Sequence, residues 1–90
     1  MKVRITDPAK ADLVDIRLYL QSRSPAAARK VGRRLLDACI SLSAFPDRNR
    51  LGAEAGTREN VAVWPYVIVY RVADAEVQIL RVWHGAQARP

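Results

Sequence analysis

The stretch Glu59–Gln87, ENVAVWPYVIVYRVADAEVQILRVWHGAQ, decides the fold. Three short runs rich in valine, isoleucine and aromatics, Asn60 to Val63, Tyr66 to Val72 and Val77 to Trp83, are separated by Trp64-Pro65 and by Ala73-Asp74-Ala75-Glu76. Such runs bounded by turn residues read as an antiparallel meander. Pro65 has no N–H for a ladder and disfavours helix at Trp64, so the first break is a corner between strands. Along a strand, successive side chains face opposite ways. In the last run Leu80 and Val82 share one face, read as core. Val77, Ile79, Arg81 and Trp83 share the other, read as outward because an arginine stands among them. The neighbouring strand joins that core through Ile68 and Tyr70 or through Val67 and Val69, according to the parity of the turn near Asp74.

Everything upstream reads as a cover for one face of this sheet. Lys2 to Thr6 alternates, with Val3 and Ile5 on its apolar side, and is a short strand. Thr6 or Asp7 then caps a helix with Pro8 in its first turn, and Ala9, Leu13, Ile16 and Leu20 form its buried stripe, leaving Lys10, Asp12, Asp15 and Arg17 outside. Ser24-Pro25 starts a second helix running to about Ala44, with a stripe of Ala28, Val31, Leu35, Ala38 and Leu42. The short link makes the two an antiparallel hairpin. Arg29, Lys30, Arg33 and Arg34 crowd the solvated face of the second helix, and Gly32 is read as permitting close packing. Phe45-Pro46 stops that helix, and Asp47 to Thr57 is a polar connector made basic by Arg48, Arg50 and the adjoining Arg58. Its GAEAG run lacks the lysine and hydroxyl of a phosphate-binding loop.

Ninety residues predict one domain spanning 1–90, burying roughly 60 to 65 per cent of the unfolded surface. No run approaches the ~20 apolar residues of a membrane span, and MKVRITDPAK has no signal-peptide core, so a cytoplasmic protein without a membrane partner is expected. The single cysteine, Cys39, excludes an internal disulfide and reads as a small buried hydrophobe. Fifteen Lys and Arg, twelve of them arginine, against nine Asp and Glu give a net charge of +6. That excess favours an anionic partner, nucleic acid or acidic protein, without specifying chemistry.

With one histidine, one cysteine and no HExxH or paired-cysteine spacing, no metal or other cofactor is expected. RNA cleavage through the ribose 2′-hydroxyl would need a base, an acid and cations around the charged transition state. Arginine supplies only the cations, because it keeps its proton at working pH. His84 is the one side chain that titrates near neutrality. Alternation puts it on the side of Leu80 and Val82, away from Arg81 and Trp83, so it reads as structural. If the protein were catalytic, His84 and Arg81 would be the candidates.

The runs Tyr66-x-Ile68-Val69-Tyr70-Arg71 and Leu80-Arg81-Val82-Trp83-His84-Gly85, set behind a strand and a helical hairpin, resemble the ParE branch of the RelE/ParE toxins of bacterial toxin–antitoxin systems. The resemblance covers essentially the whole chain. It implies a two-layer α+β fold whose four strands, numbered from the N-terminus, lie in the antiparallel order 1-4-3-2. It implies a cognate ParD-like antitoxin that wraps the toxin, DNA gyrase as the target, and no specific DNA binding by the toxin alone. RelE-like members are ribosome-dependent mRNA endonucleases, which is the rival reading; a non-toxic antitoxin-binding module is a third. The ribonuclease branch commonly carries an arginine where Val67 stands, as ParE-like members frequently do too, lysines in the connector, and basic and aromatic groups near the C-terminus. This chain has valine at 67, no lysine in the connector and no aromatic after His84. The Val67 position belongs to the open cleft, which favours Ile68 and Tyr70 in the core. An apolar and cationic surface left open on so small a protein calls for a partner with apolar anchors and carboxylates. The expected antitoxin-binding residues are Leu13 and Arg17 on the hairpin and Ile79, Arg81 and Trp83 on the sheet.

Overall fold

Capping chemistry sets the N-terminal half. The computed structural model describes residues 1–85, beginning with strand β1 at Lys2–Ile5. Thr6 ends it: its N–H donates to the Ile79 carbonyl at 3.1 Å. Its hydroxyl donates to the same oxygen at 2.7 Å and accepts from the Ala9 N–H at 3.4 Å, so one residue closes the strand and caps the helix after it. Helix α1 spans Asp7–Arg23 with Pro8 in the first turn. Ser24 ends it and caps α2, Pro25–Ser41, through a bond from the Ala27 N–H at 3.2 Å. The predicted helical hairpin is observed; α2 stops three residues early, its last turn passing into hydrogen-bonded turns over residues 42–44.

Strands β2 (Arg50–Leu51), β3 (Arg58–Asn60), β4 (Tyr66–Ala73) and β5 (Glu76–His84) follow, and the sheet order is β1-β5-β4-β3-β2. This contains the expected 1-4-3-2 order, with two differences. The connector is not featureless: β2 pairs with β3 as a short edge hairpin, closed by Gly52 N–H to Thr57 carbonyl at 2.8 Å. A Cβ on Gly52 would run into the Thr57 hydroxyl, so only glycine fits there. And β1 runs parallel to β5, the other pairs being antiparallel. The run expected as a strand at Asn60 to Val63 begins earlier and ends at Asn60, whose side-chain oxygen accepts the Ala62 N–H at 3.0 Å and bends the chain towards Trp64-Pro65.

The turn parity resolves as even. Asp74 and Ala75, both at positive φ (54° and 56°), make a two-residue turn between the paired Ala73 and Glu76. Val72 and Tyr70 therefore stand opposite Val77 and Ile79. A β-bulge then shifts the register: Val69 pairs with Arg81 and Ile68 with Val82, leaving Leu80 as the extra residue. This overturns the simple alternation expected along the strand. Val77 and Ile79 are fully buried in the core with Val82, Ile68 and Tyr70, whereas Leu80 is only half-buried and faces the other way.

The core lies between the sheet and the hairpin, joining Ala9, Leu35, Ala38, Cys39 and Leu42 to Tyr66, Ile68, Tyr70, Val77, Ile79 and Val82, with Val3, Ile5, Leu13, Ile16, Leu20 and Val31 at its margins. Cys39 is 1% exposed and burial pushes its thiol up to about 11. Tyr70 is also enclosed; its hydroxyl donates to the Pro46 carbonyl at 2.6 Å and accepts from Asn49 Nδ2 at 3.0 Å, while Asn60 Nδ2 donates to Asn49 Oδ1 at 3.0 Å. This chain of bonds pins the connector to the sheet and leaves no buried side-chain polar atom unpartnered among the described residues. Among those residues, no helix is long and apolar enough to cross a membrane, and no cluster of His, Cys, Asp and Glu could hold a metal.

Candidate interaction surfaces

The sheet's second face is only partly open, and β5 organises it; Val67, expected in an open cleft, is fully buried there opposite Trp83, and Gln78 and Glu59 are buried as well. At one end a polar ladder crosses three strands: Arg71 Nε donates to Gln78 Oε1 at 2.8 Å, Gln78 Nε2 to Glu76 Oε1 at 3.0 Å, and Arg4 Nε to the same oxygen at 2.9 Å. The Arg4 bond, then that of Gln78, holds the Glu76 carboxyl below the usual carboxylate range. At the other end Val69, Leu80, Arg81 and Trp83 join Ala53, Glu54, Thr57 and Glu59 around a shallow depression of about 110 Å³. The Arg81 guanidinium stacks on the Trp83 ring at 4.2 Å.

Arg81 does not project freely into this depression. Its Nε and Nη2 grip Asp12 Oδ2 and Oδ1 at 2.7 and 2.9 Å, and Asp12 Oδ2 also accepts the Val82 N–H at 2.8 Å. The reason is topological. β1 pairs with β5 only as far as Ile79, after which the chain turns into α1. The rest of that β5 edge would be open, and Asp12, one turn into the helix, supplies the missing acceptor. Asp12, expected on the solvated side of α1, is thus half-buried and part of the sheet. Its bond to Arg81 is the main reason that guanidinium holds its proton even more tightly than usual.

His84 faces the helix side, its ring edge-on to Tyr66 at 5.6 Å between centroids, which agrees with the side expected for it. Arg81 and Trp83 share the open face. Ile79, grouped with them as an antitoxin contact, is corrected: at 0% exposure it is sealed in the core, because the bulge inverts alternation between Ile79 and Arg81. The open face also carries carboxylates that strand alternation did not suggest. Glu59 is 5% exposed and bonded by Arg50 Nε and Nη2, each at 3.0 Å. Its signal in the sequence was weak, a lone acid just ahead of the first valine-rich run. The chain's end, Ala86 to Pro90, where the resemblance looked for an aromatic, lies outside the described residues.

A second surface lies on the outer side of the hairpin. Leu13, read as part of the buried stripe, and Arg17, read as outside it, meet there in an interhelical groove of about 560 Å³ completed by Val14, Ile16, Ala28, Arg29, Gly32, Arg33, Leu35 and Leu36. Val14, Leu18, Leu36 and Ile40 are each more than 40% exposed, a density of open apolar side chains that a solvated helix face does not need. The signal was present in the sequence as apolar residues off the buried stripes. Gly32 does not serve close packing within the chain: a Cβ placed there would meet nothing within 4 Å. The expected antitoxin contacts therefore separate into two places, Leu13 with Arg17 in the groove and Arg81 with Trp83 on the sheet.

Comparison with known proteins agrees with this architecture. Residues 3–89 match the family described as ParE toxin of type II toxin-antitoxin system, parDE. Toxin RelE2 of Caulobacter vibrioides is 49% identical over 79 residues, 88% of this chain and 89% of that protein. Putative toxin Y4kP of Sinorhizobium fredii is 37% identical over 90 residues, covering 99% of this chain and 93% of its own length. Among solved structures, a chain described as a chromosomal ParDE TA system from P. aeruginosa superposes with a TM-score of 0.83 at 27% identity, covering 93% of this chain and 95% of that one.

Proposed function

This chain belongs to the ParE/RelE toxins of type II toxin–antitoxin systems, and from that premise we propose that it arrests growth by inhibiting DNA gyrase, without catalysis, until a cognate ParD-like antitoxin binds it. The observation that carries this reading is the disposition of β5. The imidazole of His84 packs against Tyr66 on the helix side, while the fork of Arg81 is engaged by Asp12. Cleavage through a 2′-hydroxyl needs a base and an acid beside a cation. The two residues best suited to those parts stand on opposite faces of one strand. In this reading the protein works in the cytoplasm and needs neither cofactor nor specific DNA contact of its own.

The ribonuclease reading has one observation in its favour: Glu59, Arg81 and Trp83 line the same depression on the open face, and a carboxylate can act as a base. Purified gyrase separates the two. The toxin should block supercoiling at near-stoichiometric concentration and the antitoxin should restore it, while messages on translating ribosomes stay intact. Ribosome-dependent cleavage that is lost in Glu59→Gln, with gyrase unaffected, would replace the first reading by the second. A protein that binds antitoxin but does neither is the non-toxic module.

Antitoxin binding is assigned to both surfaces. The groove offers apolar anchorage rimmed by Arg17, Arg29 and Arg33, suited to an acidic amphipathic helix, and the Arg81–Trp83 stack offers an aromatic and a cation to an extended segment. The +6 charge should chiefly accelerate encounter with an acidic segment, and that acceleration should fade with salt.

A further inference from the structure

Gly32 stands in the interior of α2, exposed, and none of the usual reasons for a glycine applies to it. Its backbone is helical, so no left-handed conformation demands it. Apart from its chain neighbours and the backbone of its own helix, no atom of the described residues lies within 4 Å of where a Cβ would sit, so no neighbouring element needs the room. Alanine would hold the helix better at the same place. What the missing side chain leaves is space, and that space opens into the interhelical groove beside Leu13, Ile16 and Ala28. Arg17, Arg29 and Arg33 rim the groove; Arg33 meets Asp37 only at 3.8 Å, with both side chains mostly exposed, so its charge remains available to a partner.

We propose that Gly32 is the seat for one bulky apolar side chain of the antitoxin, and so the position at which this toxin selects its own antitoxin over others. This rests on the antitoxin reading above and deepens it. An amphipathic helix laid in a groove is anchored by a few large apolar residues at one-turn spacing, and its carboxylates fall along the groove edges where arginines can grip them. A partner whose anchor is large would fill the gap over Gly32; one with a small residue there would leave a void, and a toxin with a side chain there would exclude the large anchor.

The test uses the full-length toxin and its full-length cognate antitoxin, with Gly32→Ala, Gly32→Leu and, as a control at an exposed position of α2 that does not line the groove, Ala26→Leu. Gly32→Ala and Gly32→Leu should melt no lower than wild type, because both strengthen the helix and neither clashes within the chain. Affinity should fall in the order Ala then Leu, by roughly 10- to 100-fold for Gly32→Leu, while Ala26→Leu stays within about threefold. Cutting the anchoring antitoxin residue to Ala should then cost far less affinity against Gly32→Leu than against wild type. Wild-type affinity in Gly32→Leu, or an equal loss in Ala26→Leu, overturns the seat and leaves the antitoxin reading standing. A wild-type toxin that does not bind the antitoxin at all overturns both.

Discussion

Replacing Asp12 with alanine should be among the most damaging single changes on this surface, and the structure says by how much. One carboxylate holds three bonds, from Arg81 Nε at 2.7 Å, Arg81 Nη2 at 2.9 Å and the Val82 N–H at 2.8 Å. The ion pair is partly wet, with side-chain exposures of 39% for Arg81 and 14% for Asp12, so it belongs nearer the surface value, about 1 kcal/mol, than the buried one. The Val82 N–H is a different matter: Val82 is 3% exposed, and an orphaned buried donor costs about 1–3 kcal/mol. Alanine returns about 0.5 kcal/mol through better helix propensity. Asp12→Ala should therefore cost about 2 to 3 kcal/mol, lowering the melting temperature by roughly 10 to 20 °C for a domain of this size. Arg81→Ala should cost only about 1 to 1.5 kcal/mol, since Asp12 can still accept from Val82 and only the pair and the stack on Trp83 are lost. The double variant should sit close to Asp12→Ala, with a coupling of about 1 kcal/mol. Urea titrations of the three variants measure this directly. An Arg81→Ala as costly as Asp12→Ala, or strictly additive costs, would refute the role of Asp12 as a substitute for the missing strand.

Four further outcomes are expected. Burial keeps the Cys39 thiol protonated up to about 11 against 9.0 for the exposed group, so its contribution to stability is intact below about pH 9 and falls between pH 9 and 11. At 1.36 kcal/mol per unit that is at most about 2 to 3 kcal/mol. Cys39→Ala should flatten this limb in pH-dependent melts, leaving the later loss from Tyr66 and Tyr70, whose hydroxyls burial also pushes up. Ala75 sits at φ 56°, where a side chain costs about 1 kcal/mol, so Ala75→Gly should raise stability by about 0.5 to 1 kcal/mol in urea titration. His84→Gln should melt modestly lower through loss of the Tyr66 contact yet arrest growth as before; abolished toxicity in a folded variant would count against a structural histidine. Trp83→Ala should weaken antitoxin binding by about 2 kcal/mol by calorimetry, and unchanged affinity would confine the interface to the interhelical groove.

The parts of the fold written in local chemistry were legible in the sequence. Thr6-Asp7-Pro8 and Ser24-Pro25 announce the two helix starts, and the valine-rich runs announce the meander, because caps and strand propensity act over a few residues. The bulge was not. Between Ile79 and Val82 a single extra residue inverts every side chain, and nothing in Ile79-Leu80-Arg81-Val82 marks which of two apolar neighbours goes inside. The β2–β3 hairpin hides in a polar connector because two residues of ladder leave almost no pattern. Asp12 and Arg81 lie 69 positions apart, and their pairing depends on where β1 stops, which is a property of the assembled sheet. Gly32 shows the same limit from the other side: a small residue in a helix suggests close packing, and only the fold reveals that nothing packs there.

The central claim, a toxin that stops DNA gyrase and not translation, is tested most directly by inducing the protein in growing cells without its antitoxin and pulse-labelling DNA and protein synthesis separately within minutes. The account predicts that incorporation into DNA falls first, while translation continues and messages remain whole, and that co-expressed antitoxin prevents the arrest. Immediate collapse of protein synthesis with cleaved messages, while DNA synthesis continues, would contradict it.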